Sequence, residues 1–362
     1  MALFRMKPWY NCKKELKYKG LATPISLARE NIAATAVGNY ALFAGGNVFG
    51  YSPVNKNIVD VYNTSLTKSL ATALTTPRTQ MCAETIGDYA LFAGGLYEQG
   101  GGTYPVNEVE TYNSSLTKSR ITDLTEACRE LASAAISNYV IFAGGKTTGG
   151  NSGYTTYVEA YNASLTKMSA QSLNDKKGSM GSASADNYAI FAGGYGIDIW
   201  GSRYQFFDTV DAYDTSLVRT ALTALSTASY CRGGVAGDYY LFCINNTYTD
   251  VYNASLTKSF ATPLTYSRSY NVSIDKYMLC AGQTTPPSSA PYVAEDFAEI
   301  YDDSLTKSPI IGLSVARDEV AVTSLNNYAI YAGGSHYKYN PGGGEPGSGY
   351  ALVDTVDVFQ VS

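Results

Sequence analysis

Apolar and polar positions along the chain fall into one pattern written seven times. Its clearest part is an apolar run led by a tyrosine: YALFAGG at Tyr40 and Tyr89, YVIFAGG at Tyr139, YAIFAGG at Tyr188, YYLFCIN at Tyr239, YMLCAGQ at Tyr277 and YAIYAGG at Tyr328. A short continuous apolar run bounded by turn residues reads as a buried strand. Before each run stands a segment of small residues, such as Asn31 to Val37 or Leu131 to Ile136. Two turn-forming residues separate the pair, for example Gly38-Asn39, Gly87-Asp88 and Asn326-Asn327. Such residues reach positive φ cheaply and predict tight antiparallel hairpins. A third segment alternates, as in Val59-Asp60-Val61-Tyr62 or Val210-Asp211-Ala212-Tyr213, and predicts a half-buried strand. An Asn-x-Ser-Leu-Thr-Lys turn then leads into a polar fourth strand such as Ser69 to Leu74.

Four strands per unit and a period of about fifty residues predict an all-β chain, a seven-bladed β-propeller with four antiparallel strands per blade. One domain would span residues 1–362, with blades at about 28–75, 76–126, 127–174, 175–227, 228–265, 266–314 and 315–362 plus 8–27. The last unit stops after a third strand, Val353 to Ser362, and the chain opens with a segment of the missing kind, Leu16 to Leu27. The N-terminal strand is therefore expected to close the ring in the last blade. Lys68, Lys118, Lys167, Lys258 and Lys307, with Arg219 as the stand-in in blade four, are expected at the exposed outer edge, where charge discourages edge-to-edge pairing.

The glycine pairs (Gly45-Gly46, Gly94-Gly95, Gly144-Gly145, Gly193-Gly194, Gly333-Gly334), the Val-x-x-Tyr of the third strand and a basic residue ahead of the first strand resemble the kelch repeat family. The departures are the missing tryptophan after the third-strand tyrosine and the replaced glycine pairs at Ile244-Asn245 and Gly282-Gln283. In their near identity and their tyrosine, alanine and threonine content, the units resemble kelch-type proteins of phage tails and gut-bacterial surfaces. That resemblance implies a kelch-type propeller acting as a recognition module.

Composition narrows the partners. A net charge of −5 argues against a nucleic-acid protein, and no apolar run is long enough for a membrane helix. No signal peptide is evident in the opening residues. No cofactor or metal is expected: there is one histidine, His336, and no zinc or calcium ligand pattern. Cys231 and Cys243 fall nearly opposite one another across a hairpin and could pair.

The loops from second to third strand vary most in length and are rich in aromatics, which suits glycan or protein recognition. The ligand-binding candidates are Tyr51, Tyr97, Tyr104, Trp200, Tyr204, Tyr292, His336, Tyr337 and Tyr339. The short loop of blade five should leave a notch, and binding is expected off-centre beside it. Of Phe206 and Phe207, both are expected to pack. An alternative is an intracellular scaffold binding a peptide at an axial ring of Arg29, Arg78, Arg129, Lys177, Arg268 and Arg317. A second alternative is a carbohydrate-active enzyme using loop carboxylates such as Glu98, Asp198, Glu295, Asp296 or Glu345.

Overall fold

The computed structural model describes residues 14–48, 54–147, 153–185, 187–198, 201, 203–244, 247–265, 270–285, 293–338 and 349–362. These residues form no helix and seven four-stranded antiparallel sheets. Sheet one is Ala33–Val37, Tyr40–Ala44, Val59–Asn63 and Lys68–Leu70, paired in chain order. Sheets two to six repeat it, with first strands Cys82–Ile86, Ala132–Ile136, Gly181–Ala185, Arg232–Ala236 and Tyr270–Ile274. The two-residue turns sit where expected: Val37 pairs with Tyr40 and Ile86 with Tyr89.

Sheet seven contains Ala321–Leu325, Tyr328–Ala332 and Val356–Val361, and its fourth strand is Leu16–Ala22. Leu16 lies opposite Val361 and Ala22 opposite Val356, so the expected completion by the N-terminal segment is observed.

The first strand of each sheet touches the first strand of the next, and that of sheet seven touches that of sheet one. This is a β-propeller-like arrangement, and it explains one departure from the alternation pattern. The third strands are buried on both faces, with Val59, Asp60, Val61 and Tyr62 all at 1% exposure or less. A sheet covered by a neighbour on either side has no solvent face, so the polar position of the alternation points into protein.

The core is accordingly divided among the seams. Val37, Leu42 and Val61 of sheet one pack with Ala90, Phe92 and Tyr112 of sheet two. Ile330 and Val356 of sheet seven pack with Ala41 and Phe43 of sheet one. Six of the seven seams also carry one repeated hydrogen bond. Tyr112 donates its hydroxyl to the Thr72 carbonyl of the preceding unit at 2.6 Å, and Tyr62, Tyr161, Tyr213, Tyr252 and Tyr301 repeat the bond. Phe359 holds this place in sheet seven.

The loops after the second strands carry short hairpins of their own. These are Asn47–Val48 with Val54–Asn55, Leu96–Gln99 with Gly102–Pro105, Tyr195–Ile197 with Tyr204–Phe206, and Ser335–Lys338 with Gly349–Leu352. In sheet five only residues 245–247 join the second and third strands, the short connection that the sequence predicts.

Candidate functional site

The double glycine lets two backbones meet. Gly45 and Gly46 have φ of +67° and +96°, and a Cβ on either would stand 2.4 Å from the Arg78 carbonyl oxygen or 2.6 Å from that of Glu30. Across this close approach run buried ion pairs. Arg29 donates to Asp60 at 2.8 Å and to the carbonyls of Gly45 and Leu27 at 2.7 and 3.1 Å. Arg78 reaches Glu110 at 3.1 Å, Arg317 reaches Asp357 at 2.7 Å, and Lys177 lies 3.5 Å from Asp211. All four cations are fully buried within the sheets, so their charge is spent on the second position of the third strand and none is open to a ligand. Burial also pushes the Lys177 ammonium below its ordinary pKa.

Arg129 does not belong with them. Counted from the first strand, Cys128 occupies the place of Arg29, and Arg129 is one residue out of register. Its guanidinium turns instead to Gln80 Oε1 at 2.5 Å and to Glu130. Glu159, the third-strand acid of that sheet, is held by Lys167 at 2.6 Å and by Thr125. Arg268 lies outside the described residues.

The lysines after the third strands also differ from expectation. Rather than standing free at the edge, Lys68, Lys118, Lys258 and Lys307 bind Asp60, Glu110, Asp250 and Glu299 at 3.2, 2.9, 3.0 and 2.8 Å. Lys118 also donates to the Ala73 carbonyl of the preceding unit at 2.8 Å. A long stem lets the ammonium fold back onto the seam while its carbons cover apolar surface.

Two residues beyond the buried cation, the chain takes a left-handed step. Asn31, Gln80, Ser179 and Glu319 have φ of 52°, 53°, 52° and 52°, and Glu130, two beyond Cys128, has 57°. Non-glycine residues rarely adopt this conformation. The step brings these side chains together where the seven sheets converge. They border a cavity of about 370 Å³, completed by Tyr230 and Arg232 of sheet five, Tyr270 of sheet six and Asp318 of sheet seven. Its lining is predominantly polar.

Several of these groups are held in place. Ser179 Oγ donates to Glu130 Oε2 at 3.0 Å, and the Tyr270 hydroxyl donates to Asp318 at 2.7 Å while accepting from the Glu319 amide at 2.8 Å. The Arg232 guanidinium lies over the Tyr270 ring at 5.0 Å. Burial opposes the Arg232 charge, but Tyr270, Glu319 and Asp318 outweigh it and hold its pKa above the ordinary arginine value. Arg232 is exposed to the open space of the cavity although protein surrounds it. Cys231 and Cys243 are both buried free thiols at the cavity wall, and burial pushes Cys231 up to about 12. Glu84, in the first strand of sheet two, is raised by burial to about 7, opposed by one hydrogen bond from the Thr85 amide.

None of the described aromatic candidates is among the residues that line this cavity. Tyr97 and Tyr104 face one another across a hairpin, with Tyr104 exposed. Tyr204 is half-buried and nearly parallel to Tyr195. His336 is tied by Nδ1 to the Ala316 carbonyl oxygen at 2.7 Å. Tyr337 lies in the strand Ser335–Lys338, while Tyr51, Trp200, Tyr292 and Tyr339 lie outside the described residues. Phe207 is buried beside Lys177, as expected, but Phe206 is 44% exposed. The cavity is central and includes sheet five, whereas the sequence pointed to an off-centre notch beside it. None of its lining residues is among the ligand-binding candidates expected from the sequence; Asn31, Gln80, Glu130, Ser179 and Glu319 share only a fixed place, two residues past the cation or its counterpart.

Neither a known protein family nor any curated protein matches the chain in sequence. In fold it is similar to a solved structure titled "Structure of YjhT", with a TM-score of 0.56, 12% identity, and coverage of 94% of this chain and 99% of that one. At that identity the likeness concerns the fold alone.

Proposed function

We propose that the chain is a seven-bladed, kelch-type β-propeller closed by its N-terminal strand, a single domain that acts as a non-catalytic recognition module. The apolar seams between every pair of consecutive sheets, including seven and one, support the closed ring. One observation carries the function: residues of all seven repeat units line a single cavity of about 370 Å³. Convergent polar groups in a concave site are what a binding site requires. Glu130 and Asp318 are already oriented by Ser179 and Tyr270, so a ligand meets acceptors whose ordering cost is spent in folding. The ligand is a glycan or a protein segment, taken up on the face that carries the long hairpins. A place on a phage tail or a bacterial surface accords with the style of the repeats.

Glycan and peptide arrays probed in parallel test this reading. The selected ligand should bind about tenfold more weakly to Glu130→Gln and Arg232→Ala, a loss of about 1.4 kcal/mol each, with melting temperatures unchanged. Undiminished binding by both variants would move the site away from the cavity.

A further inference from the structure

The cavity continues into an aromatic shelf. Tyr230 belongs to both, because it lines the cavity and meets Phe206 edge-on at 5.0 Å. Phe206 touches Tyr195 at 5.1 Å, and Tyr195 lies nearly parallel to Tyr204, with centroids 6.1 Å apart and planes 14° apart. Beneath them Tyr154 is buried and packs against both Tyr195 and Tyr204 at 6.3 and 6.5 Å. Phe206 and Tyr230 remain 44% and 41% exposed. Exposed rings braced by buried ones offer contact area with little entropy left to lose.

The charges beside the shelf restrict what can lie on it. Three carboxylates, Glu130, Asp318 and Glu319, border the cavity, and Arg232 is the cation among its lining residues. Arg129 is already engaged by Gln80 and Glu130. The acidic balance opposes an anionic ligand, while oriented carboxylate and amide oxygens accept hydrogen bonds from hydroxyl groups. A cavity of about 370 Å³ is at the small end for ligand pockets and suits the end of a chain rather than its length.

Resting on the reading of the cavity as the binding site, we propose that the ligand is an uncharged oligosaccharide. Its terminal unit enters the cavity, where Glu130, Gln80, Asn31 and Ser179 meet its hydroxyls. The units that follow lie with their C–H faces on Tyr230 and Phe206.

A microarray holding neutral and uronate-bearing oligosaccharides side by side tests the assignment. Calorimetric titration then follows with the best neutral hit of about six units and with the disaccharide from its end. Phe206→Ala and Tyr230→Ala should each weaken the long ligand about tenfold and change the disaccharide less than about twofold, because only the long ligand reaches the shelf. Phe206→Leu, which keeps apolar bulk without a ring face, should fall in between, and thermal melts establish that each variant is folded. Uronate-bearing chains of equal length should bind at least about tenfold more weakly than neutral ones. Equal affinity of folded shelf variants for the long ligand, or a preference for uronates, overturns the proposal. If no sugar binds but a peptide does, and Glu130→Gln abolishes it, the sugar assignment falls and the binding-module reading stands. If neither class binds, both fall.

Discussion

Replacing Arg29 by cysteine, the residue that fills its place in sheet three, probes the buried charges directly. The substitution removes the 2.8 Å bond to Asp60 and the bonds to the Gly45, Leu27 and Phe43 carbonyls. Asp60 is left fully buried, with Lys68 at 3.2 Å and the Ser26 amide and hydroxyl at 2.9 and 2.6 Å. Removing one partner of a buried pair costs about 3–5 kcal/mol when the other is left uncompensated. Because Lys68 and Ser26 remain, as Lys167 and Thr125 do for Glu159, the loss should lie near the lower end, about 3 kcal/mol. Lys68→Met alone should cost about 1 kcal/mol, and the double variant more than the sum by about 1 kcal/mol or more, since only then does the acid lose every cation. Urea unfolding followed by circular dichroism measures all three. The pH dependence supplies a second check. Burial alone would raise the Asp60 carboxyl, but the bonds from Ser26 and Arg29 outweigh it and hold its pKa below the usual value. Such an acid stabilises the fold above its unfolded pKa of about 4, and the contribution is lost as pH falls through the folded value. The gap between wild type and Arg29→Cys should therefore hold nearly constant from about pH 7 to pH 5 and narrow as the pH falls below about 4. A loss under about 1 kcal/mol, or a gap that does not change with pH, would refute the argument.

Two further outcomes follow from the fold. Glu84 is raised by burial to about 7, above its unfolded value, so the folded state binds the extra proton and stability falls as pH rises from about 4.5 through 7. Glu84→Gln should then be more stable than wild type at about pH 8, on the order of 2 kcal/mol, and converge with it near pH 4.5; parallel melting curves at both pH values would contradict this. Deleting residues 1–22 uncovers the Val356–Val361 edge and takes from Asp357 the Tyr18 hydroxyl at 2.8 Å. Light scattering should then show association through the open edge, and a monomer with the wild-type melting temperature would show the strand to be dispensable.

Much of this fold could be read from the chain because its signals are local. Gly38-Asn39 turns where positive φ is cheap, Tyr40 to Ala44 forms the apolar strand, and Leu16 opposes Val361 because one unit lacked a strand and one segment was left over. What escaped was set by packing between sheets. The alternation of Val59 to Tyr62 looks half-solvated in one dimension, and the neighbouring sheet decides otherwise. An arginine before a first strand reads alike at Arg78 and Arg129, yet one residue of register sends the first into a seam and the second toward Glu130. The cavity was harder still. Asn31, Gln80, Glu130, Ser179 and Glu319 are of four residue types joined only by a backbone step, and become neighbours through seven sheets at once.

The bond between Tyr18 and Asp357 spans 339 residues of chain, and this separation sets a timetable for synthesis. At ribosomal speeds of about 5–20 residues per second, the strand Leu16–Ala22 is made roughly 20–70 s before the strand it must pair with. Six sheets can assemble neighbour by neighbour as they emerge, while the strand Leu16–Ala22 waits for its partner Val356–Val361. Leu16, buried in the finished protein, is without its Val361 neighbour throughout that interval. A nascent chain that stalls short of Val356–Val361 cannot hide this segment, so such a product carries a visible mark for chaperones and proteases that the pairing of the two strands erases.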